Sequence, residues 1–179
     1  MEKWLELDAR LSARLRVAEK PGKRRSAAIL FGHSGDSWFW LAGLIAAFLL
    51  LDASWRPLIV TLFVAIWLTA LLVLAIKFSV RRQRPEGEWG QIYRRTDPHS
   101  FPSGHAARAL MLAVVALGLG PAWLGWLMIV WAPMVGIARV ATGLHYVSDV
   151  LAGWVLGLVM GLITLQIAGP LWSLVAQFL

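Results

Sequence analysis

Three short polar clusters interrupt an otherwise apolar chain, and each carries groups suited to a phosphate. They are Lys77 with Arg84-Pro85, then Pro102-Ser103-Gly104-His105, then Arg139 with His145 and Asp149. Arginine offers planar, bidentate donors to phosphate oxygens and lysine adds a compact point charge. Lys77, Arg84 and Arg139 therefore suit a dianion that gains charge on its equatorial oxygens. Ser103 fits the N-cap of a helix, and Gly104 beside it lets a ligand approach the backbone. Unpaired amide N–H groups and the positive end of the helix dipole favour an anion in front of that helix start.

The remaining side chains supply reactivity. His145 and Asp149 stand four residues apart, so one helical turn can bring the carboxylate to one ring nitrogen and leave the other free to attack. His145 is the expected nucleophile, forming a phosphohistidine, and Asp149 its orienter. His105, beside the anion cradle, is placed to protonate the leaving oxygen as general acid and then to activate water as base. A metal ion held by His105, His145 and Asp149 would face the repulsion of the surrounding cations. No metal and no cofactor is expected.

These residues must be positioned by membrane-embedded helices. The 179 residues are 59% hydrophobic and 15% charged, with a mean hydropathy of +0.66, which is too apolar for an ordinary water-soluble globule. At roughly 20 apolar residues per crossing, the apolar runs supply about five transmembrane helices and leave no separate soluble domain. The expected fold is an all-α polytopic membrane bundle, a single domain over residues 1–179. The absence of cysteine excludes a disulfide framework and a thiolate metal site. A net charge of +7 could suit nucleic acid, but the basic residues are interrupted by apolar runs and no nucleic-acid fold signature accompanies them. Anionic lipid headgroups and a lipid substrate are the expected partners. Nothing in the apolar runs specifies an oligomeric state.

Residues 3–18 place Trp4, Leu7, Leu11 and Leu15 on one stripe, with Arg10, Arg14 and Arg16 elsewhere around the turn. This predicts a helix lying in the membrane interface, within an amphipathic segment over residues 1–25. The first apolar run follows only after a long charged segment, unlike a cleavable leader. Spans are predicted at about 37–51, extended toward Ala27 by a broken turn, then at 57–77, 103–120, 121–139 and 148–169. A tight turn is expected at 52–57 and a short amphipathic tail at 171–179. Residues 78–102 form the one long polar connection, of a length that marks function in so small a bundle. Gly153, Gly157 and Gly161 recur every four residues, a ridge on which another helix can pack closely. No internal repeat suggests two transporter-like halves. Arg81, Arg82, Arg94 and Arg95 are expected to snorkel to the headgroups. His33 and Asp36 are read as helix-start caps in preference to groups supporting the site from behind, His99 as a solvated loop residue, and Arg108 as a supporting or interfacial cation.

In order and spacing, the clusters over residues 77 to 149 resemble the three-part signature of the type 2 phosphatidic acid phosphatases. That superfamily includes undecaprenyl diphosphate phosphatases, phosphatidylglycerol phosphate phosphatases and vanadium haloperoxidases. The resemblance implies a helical bundle, metal-independent hydrolysis, and the same roles for Lys77, Arg84, Ser103, Gly104, His105, Arg139, His145 and Asp149. Its implied substrates are phosphatidic acid, phosphatidylglycerol phosphate or an isoprenyl diphosphate. The chain departs from the family pattern at Ala138, where a serine commonly precedes the arginine, and in having an amphipathic helix where many relatives have a first span.

Two other functions are set against hydrolysis. A transporter for phosphate-like anions would not need the His145–Asp149 pair, and a non-catalytic lipid-binding protein would not need both histidines. With five spans, the N-terminus and the site share one membrane face. Lys3, Arg10, Arg14, Arg16, Lys20, Lys23, Arg24 and Arg25 precede the first span, whereas the opposite face carries Arg56. The positive-inside rule places the site on the cytoplasmic face of the cell membrane. The resemblance points the other way, since six-span members more often work on the outer face.

Overall fold

A computed structural model describes residues 2–17, 21–86 and 97–178. Among these the chain is all-α, with seven α-helices: α1 (Glu2–Leu15), α2 (Lys23–Ser34), α3 (Ser37–Leu50), α4 (Arg56–Val80), α5 (Gly104–Leu119), α6 (Ala122–Ala141) and α7 (Val147–Ala176). A single 3-10 turn, Ala53–Trp55, occupies the expected tight turn and leads into α4, with Pro57 in its first turn. Proline fits there because the first helical amides have no intrahelical acceptor.

Three segments are long and apolar enough to cross a membrane: Ala53–Val80, Ala122–Ala141 and Val147–Ala176. The helices α3 and α5 are equally greasy but have 14 and 16 residues, shorter than the roughly 20 that a perpendicular crossing needs. The predicted break before the first apolar helix falls at Gly35-Asp36, between α2 and α3.

At the centre lies α5, packed along α6 and α7 with α4 crossing it. Its Ala106, Ala107, Ala109 and Ala113 are fully buried, so backbones meet closely on that side. The glycine ridge of α7 completes the fit. A Cβ at Gly157 would fall 2.2 Å from the Ala107 carbonyl oxygen, and one at Gly153 would fall 2.6 Å from that of Ser103. Between apolar helices in lipid, close van der Waals packing of this kind holds the pair together. It also fixes register, because the Ser103 N–H donates to the Asp149 carbonyl at 2.9 Å. Two helix starts that carry site residues are thereby locked side by side. On the far side of α5, Met111, Leu112 and Val115 pack with Leu62, Ala65 and Ile66 of α4. Outward-facing Leu71, Val155, Val159 and Leu162 remain exposed, as expected of a lipid-facing belt.

Several expectations are corrected. The tail over 171–179 is not separate, because α7 runs on through Pro170 to Ala176. In apolar surroundings a broken helix would strand carbonyl groups, so the proline is absorbed. Arg82 does not snorkel. It pairs with Asp8 at 2.7 Å and Asp149 at 2.8 Å. Nor is His99 a solvated loop residue: its ring stands edge-on to Phe78 with centroids 5.8 Å apart, and it bridges to Gln83 as an isolated antiparallel pair. Arg81 ends α4 in the left-handed conformation, φ 53°, while its Nε–H donates back to the Phe78 carbonyl at 2.9 Å. Arg94 and Arg95 lie outside the described residues.

Candidate active site

One cavity of about 410 Å³ gathers the three clusters: Lys77, Arg84, Gly104, His105, Arg139 and His145 all line it. Each comes from a different place in the chain. Lys77 is in the last turn of α4, Gly104 and His105 begin α5, and Arg139 is in the last turn of α6. His145 sits in the turn between α6 and α7, and Arg84 follows α4. Ser103 and Asp149 stand behind the lining, both fully buried. The Ser103 side chain caps α5, accepting from the Ala106 amide at 3.5 Å. A Cβ at Gly104 would meet Val73 at 3.3 Å, so the α5 start lies close against α4.

Arg84 is buried and held on several sides. Its Nε–H donates to the Asp97 carbonyl at 2.7 Å, and one Nη1–H donates to the Leu144 carbonyl at 2.8 Å. Nη2 donates to Asp97 Oδ2 at 2.8 Å. The Lys77 ammonium reaches the same carboxylate oxygen at 2.5 Å and the His99 carbonyl at 2.9 Å. An acidic side chain thus lies between two of the cations. Sequence reasoning passed over Asp97; an isolated carboxylate in the loop between two basic clusters was the available signal.

His145 is 1% exposed. Its Nε2 lies 3.2 Å from Arg84 Nη1 and its Nδ1 lies 3.5 Å from Asp149 Oδ2. A guanidinium can only donate, so Nε2 carries the lone pair and the ring proton sits on Nδ1, toward the carboxylate. Burial above all, together with the guanidiniums of Arg84 and Arg139, pushes the imidazole down to about 3 against the pull of Asp149. It is neutral at physiological pH. The pair is not made along a helical face, as its spacing suggested. His145 precedes α7, and Asp149 reaches back from the first turn, with Oδ2 also accepting the Tyr146 amide at 2.9 Å. Oδ1 accepts Arg82 Nη1–H at 2.8 Å.

His105 has its own carboxylate. Its Nε2 lies 2.7 Å from Asp36 Oδ1, and the other oxygen of Asp36 is 3.0 Å from His33 Nδ1. A carboxylate only accepts, so both imidazoles donate to it. Asp36 occupies the N-cap position of α3, yet its side chain makes no capping bond, which corrects its reading as a cap. The break that carries it is clamped from two helices: the Arg108 guanidinium donates from Nε to the Gly35 carbonyl at 3.0 Å, and Trp131 Nε1–H donates to Ser34 Oγ at 2.9 Å. Arg108 is buried and so is a supporting cation of the site. Among the described residues no three His, Asp or Glu side chains gather closely enough to hold a metal ion.

A sequence model of the PAP2 superfamily matches residues 58–172. The chain is 32% identical over 149 residues to an undecaprenyl-diphosphatase of Sulfolobus acidocaldarius, covering 80% of this chain and 71% of that one. It is 33% identical over 159 residues to a decaprenylphosphoryl-5-phosphoribose phosphatase of Mycobacterium tuberculosis, covering 86% and 85%. Among solved structures, Aquifex aeolicus LpxE superposes with a TM-score of 0.67 at 27% identity over 90% of this chain and 94% of that one. The PAP2-type phosphatidylglycerolphosphate phosphatase of Bacillus subtilis shares the fold, with a TM-score of 0.76 at 23% identity over 95% and 88%. The family match extends over more than half of the sequence and takes in all three polar clusters, and on that ground the chain belongs to the PAP2 superfamily.

Proposed function

We propose that this membrane protein hydrolyses a phosphomonoester or diphosphate of a lipid through a phosphohistidine at His145. The observation that carries the reading is the lone pair at His145 Nε2, turned to Arg84 in a cavity that three other cations and a helix start also line. A phosphate resting against Lys77, Arg84, Arg139 and the α5 amides displaces the Asp97 carboxylate and meets this nitrogen. His145 Nε2 attacks phosphorus, the phosphorus–oxygen bond to the lipid breaks, and the leaving oxygen takes a proton from His105. Water then attacks the phosphohistidine while His105 accepts its proton, the phosphorus–nitrogen bond breaks, and phosphate leaves. Asp149 holds His145 in its tautomer, and Asp36 accepts the Nε2–H of His105 and supports the imidazolium whose Nδ1 proton goes to the leaving oxygen.

The cavity is also lined by Trp38 of α3 and by Ala70, Val73 and Leu74 of α4, an apolar side suited to a lipid arriving laterally from the bilayer. Phosphatidic acid, phosphatidylglycerol phosphate and isoprenyl diphosphates all meet these requirements. The names of two of the sequence relatives, an undecaprenyl-diphosphatase and a decaprenylphosphoryl-5-phosphoribose phosphatase, favour the isoprenyl class. The site opens to the cytoplasmic face, on the argument of eight basic residues before the first span against Arg56 opposite. A reporter at the N-terminus tests that orientation.

The test of the chemistry is phosphate release from a panel of purified lipid phosphates and diphosphates in excess chelator, comparing the unsubstituted protein with His145→Ala. Turnover that survives chelation and disappears in the variant is expected. Undiminished turnover in His145→Ala would remove the nucleophile from the scheme.

A further inference from the structure

We infer that Asp8, on the N-terminal helix, is a positioning residue for the His145–Asp149 pair, acting through Arg82 and through the first amides of α7. The inference rests on the proposed role of His145 and extends it to a helix that does not line the cavity.

The first amides of a helix have no acceptor within it, and no side chain of the preceding turn reaches those of Val147 and Ser148. Residues of α1 do. The Ser148 N–H donates to Asp8 Oδ1 at 3.1 Å, and the Ser148 hydroxyl donates to Asp8 Oδ2. The Val147 N–H donates to the buried Ser12 hydroxyl at 3.0 Å, which itself donates to the Asp8 carbonyl at 2.7 Å. A carboxylate at this place also faces the positive end of the α7 dipole.

Arg82 carries the contact one step further. Its Nη2–H donates to Asp8 Oδ2 at 2.7 Å, and its Nη1 donates to Asp149 Oδ1 at 2.8 Å and to the Ser148 hydroxyl at 2.6 Å. The guanidinium lies over the Tyr146 ring at 4.0 Å. Asp149 is therefore held on one oxygen by Arg82 while its other oxygen faces His145, and Arg82 is itself shared between two carboxylates. Without Asp8, Asp149 is the one carboxylate paired with the guanidinium among the described residues, and the guanidinium draws it away from the ring. The chain just after α1 grips the other end of the same turn, where the Val17 N–H donates to the Ala141 carbonyl at 3.0 Å. The opposite side of α1 exposes Trp4, Leu7, Leu11 and Leu15. One short helix thus joins the membrane surface to the turn that holds the nucleophile.

The experiment is rapid-quench trapping of the phosphohistidine in the full-length protein in detergent micelles, using a radiolabelled polyprenyl diphosphate and comparing Asp8→Ala, Asp8→Asn and Glu6→Ala. Asp8→Asn keeps an acceptor for the Ser148 amide but loses the charged bond to Arg82, so it tests positioning if the alanine variant folds poorly. Loss of one charge-assisted bond predicts that phosphohistidine forms roughly tenfold more slowly in both Asp8 variants, at undiminished amplitude. Glu6→Ala, which removes an exposed pair with Arg10 on the same helix, leaves the rate unchanged. A purely structural role lowers the amplitude at an unchanged rate, and that result overturns the inference. Absence of labelled His145 in the unsubstituted protein defeats the proposed function and this inference together.

Discussion

Arg84 Nη1 lies 3.2 Å from His145 Nε2, an approach that two cations would not tolerate. The contact requires a neutral imidazole with its lone pair turned toward the guanidinium, and the buried surroundings of His145 keep it so. In the proposed reaction a phosphoryl group bound to Arg84 is delivered to the nitrogen that attacks it. Electrostatic binding and nucleophile alignment are one arrangement here.

The two histidines differ in what can replace them. His105→Ala is expected to lower lipid turnover by about 10²–10⁴-fold, the usual contribution of a general acid. The part of that loss that falls on phosphohistidine formation should vanish with an aryl phosphate, whose leaving group needs no proton, while the base role in its hydrolysis is common to both substrates. Asp36→Asn should follow His105→Ala with a smaller loss of roughly tenfold, as for one charge-assisted hydrogen bond. His145→Ala should be inactive on both substrates. Rapid-quench rates of phosphohistidine formation with lipid and aryl phosphates check the pattern, and equal loss on both in His105→Ala would refute the general-acid role.

The carboxylate of Asp97 contacts Lys77 at 2.5 Å and Arg84 at 2.8 Å, where it competes with a bound anion. Asp97→Asn is expected to lower KM and to tighten inhibition by inorganic phosphate by roughly tenfold, with little change in kcat. Inhibition curves with phosphate and vanadate measure this. Weaker anion binding in the variant would contradict competition.

His145 is lowered from 6.5 to about 3 in the folded protein, so between those values the unfolded chain binds more protons. Stability from this residue is present above about 6.5 and is lost as pH falls toward 3. Thermal unfolding in micelles should therefore show a steeper acid-side fall in Tm for the natural sequence than for His145→Gln. Parallel curves would show that the histidine is not held neutral by the fold.

Gly157→Ala should push α5 and α7 apart, since its Cβ would lie 2.2 Å from the Ala107 carbonyl oxygen. A cost of about 1–3 kcal/mol is typical of such overpacking, and loss of activity should accompany it through the Ser103–Asp149 contact. Gly43→Ala, where a Cβ meets nothing within 4 Å, serves as the neutral control. Tm and phosphate release on both variants decide the matter.

Much of the placement was legible from the chain. Apolar runs of membrane length set which polar segments emerge at the same end, and parity alone brought Lys77, Gly104, Arg139 and His145 toward one rim. The glycine ridge on α7 was legible for a related reason: a four-residue period is a helical face whatever lies opposite. Partner choice was not legible. Asp36 read as a cap because a carboxylate before a helix ordinarily caps it, and only the packing of α2 on α6 and of α3 on α4 put it beside His105. Arg82 read as one of several interfacial cations, and only the docking of α1 added Asp8 to Asp149 as its second carboxylate.

By itself, then, the sequence determined the chemical inventory, the helical class and the end of the bundle at which the inventory collects, because these follow from residue type and local period. The tertiary structure alone decided which carboxylate faces which histidine, that Asp97 sits between the cations, and that α1 contacts the turn that holds His145. Hydrogen bonds between residues tens of positions apart depend on helix offsets of a few ångströms, and such offsets are set by side-chain packing rather than by periodicity.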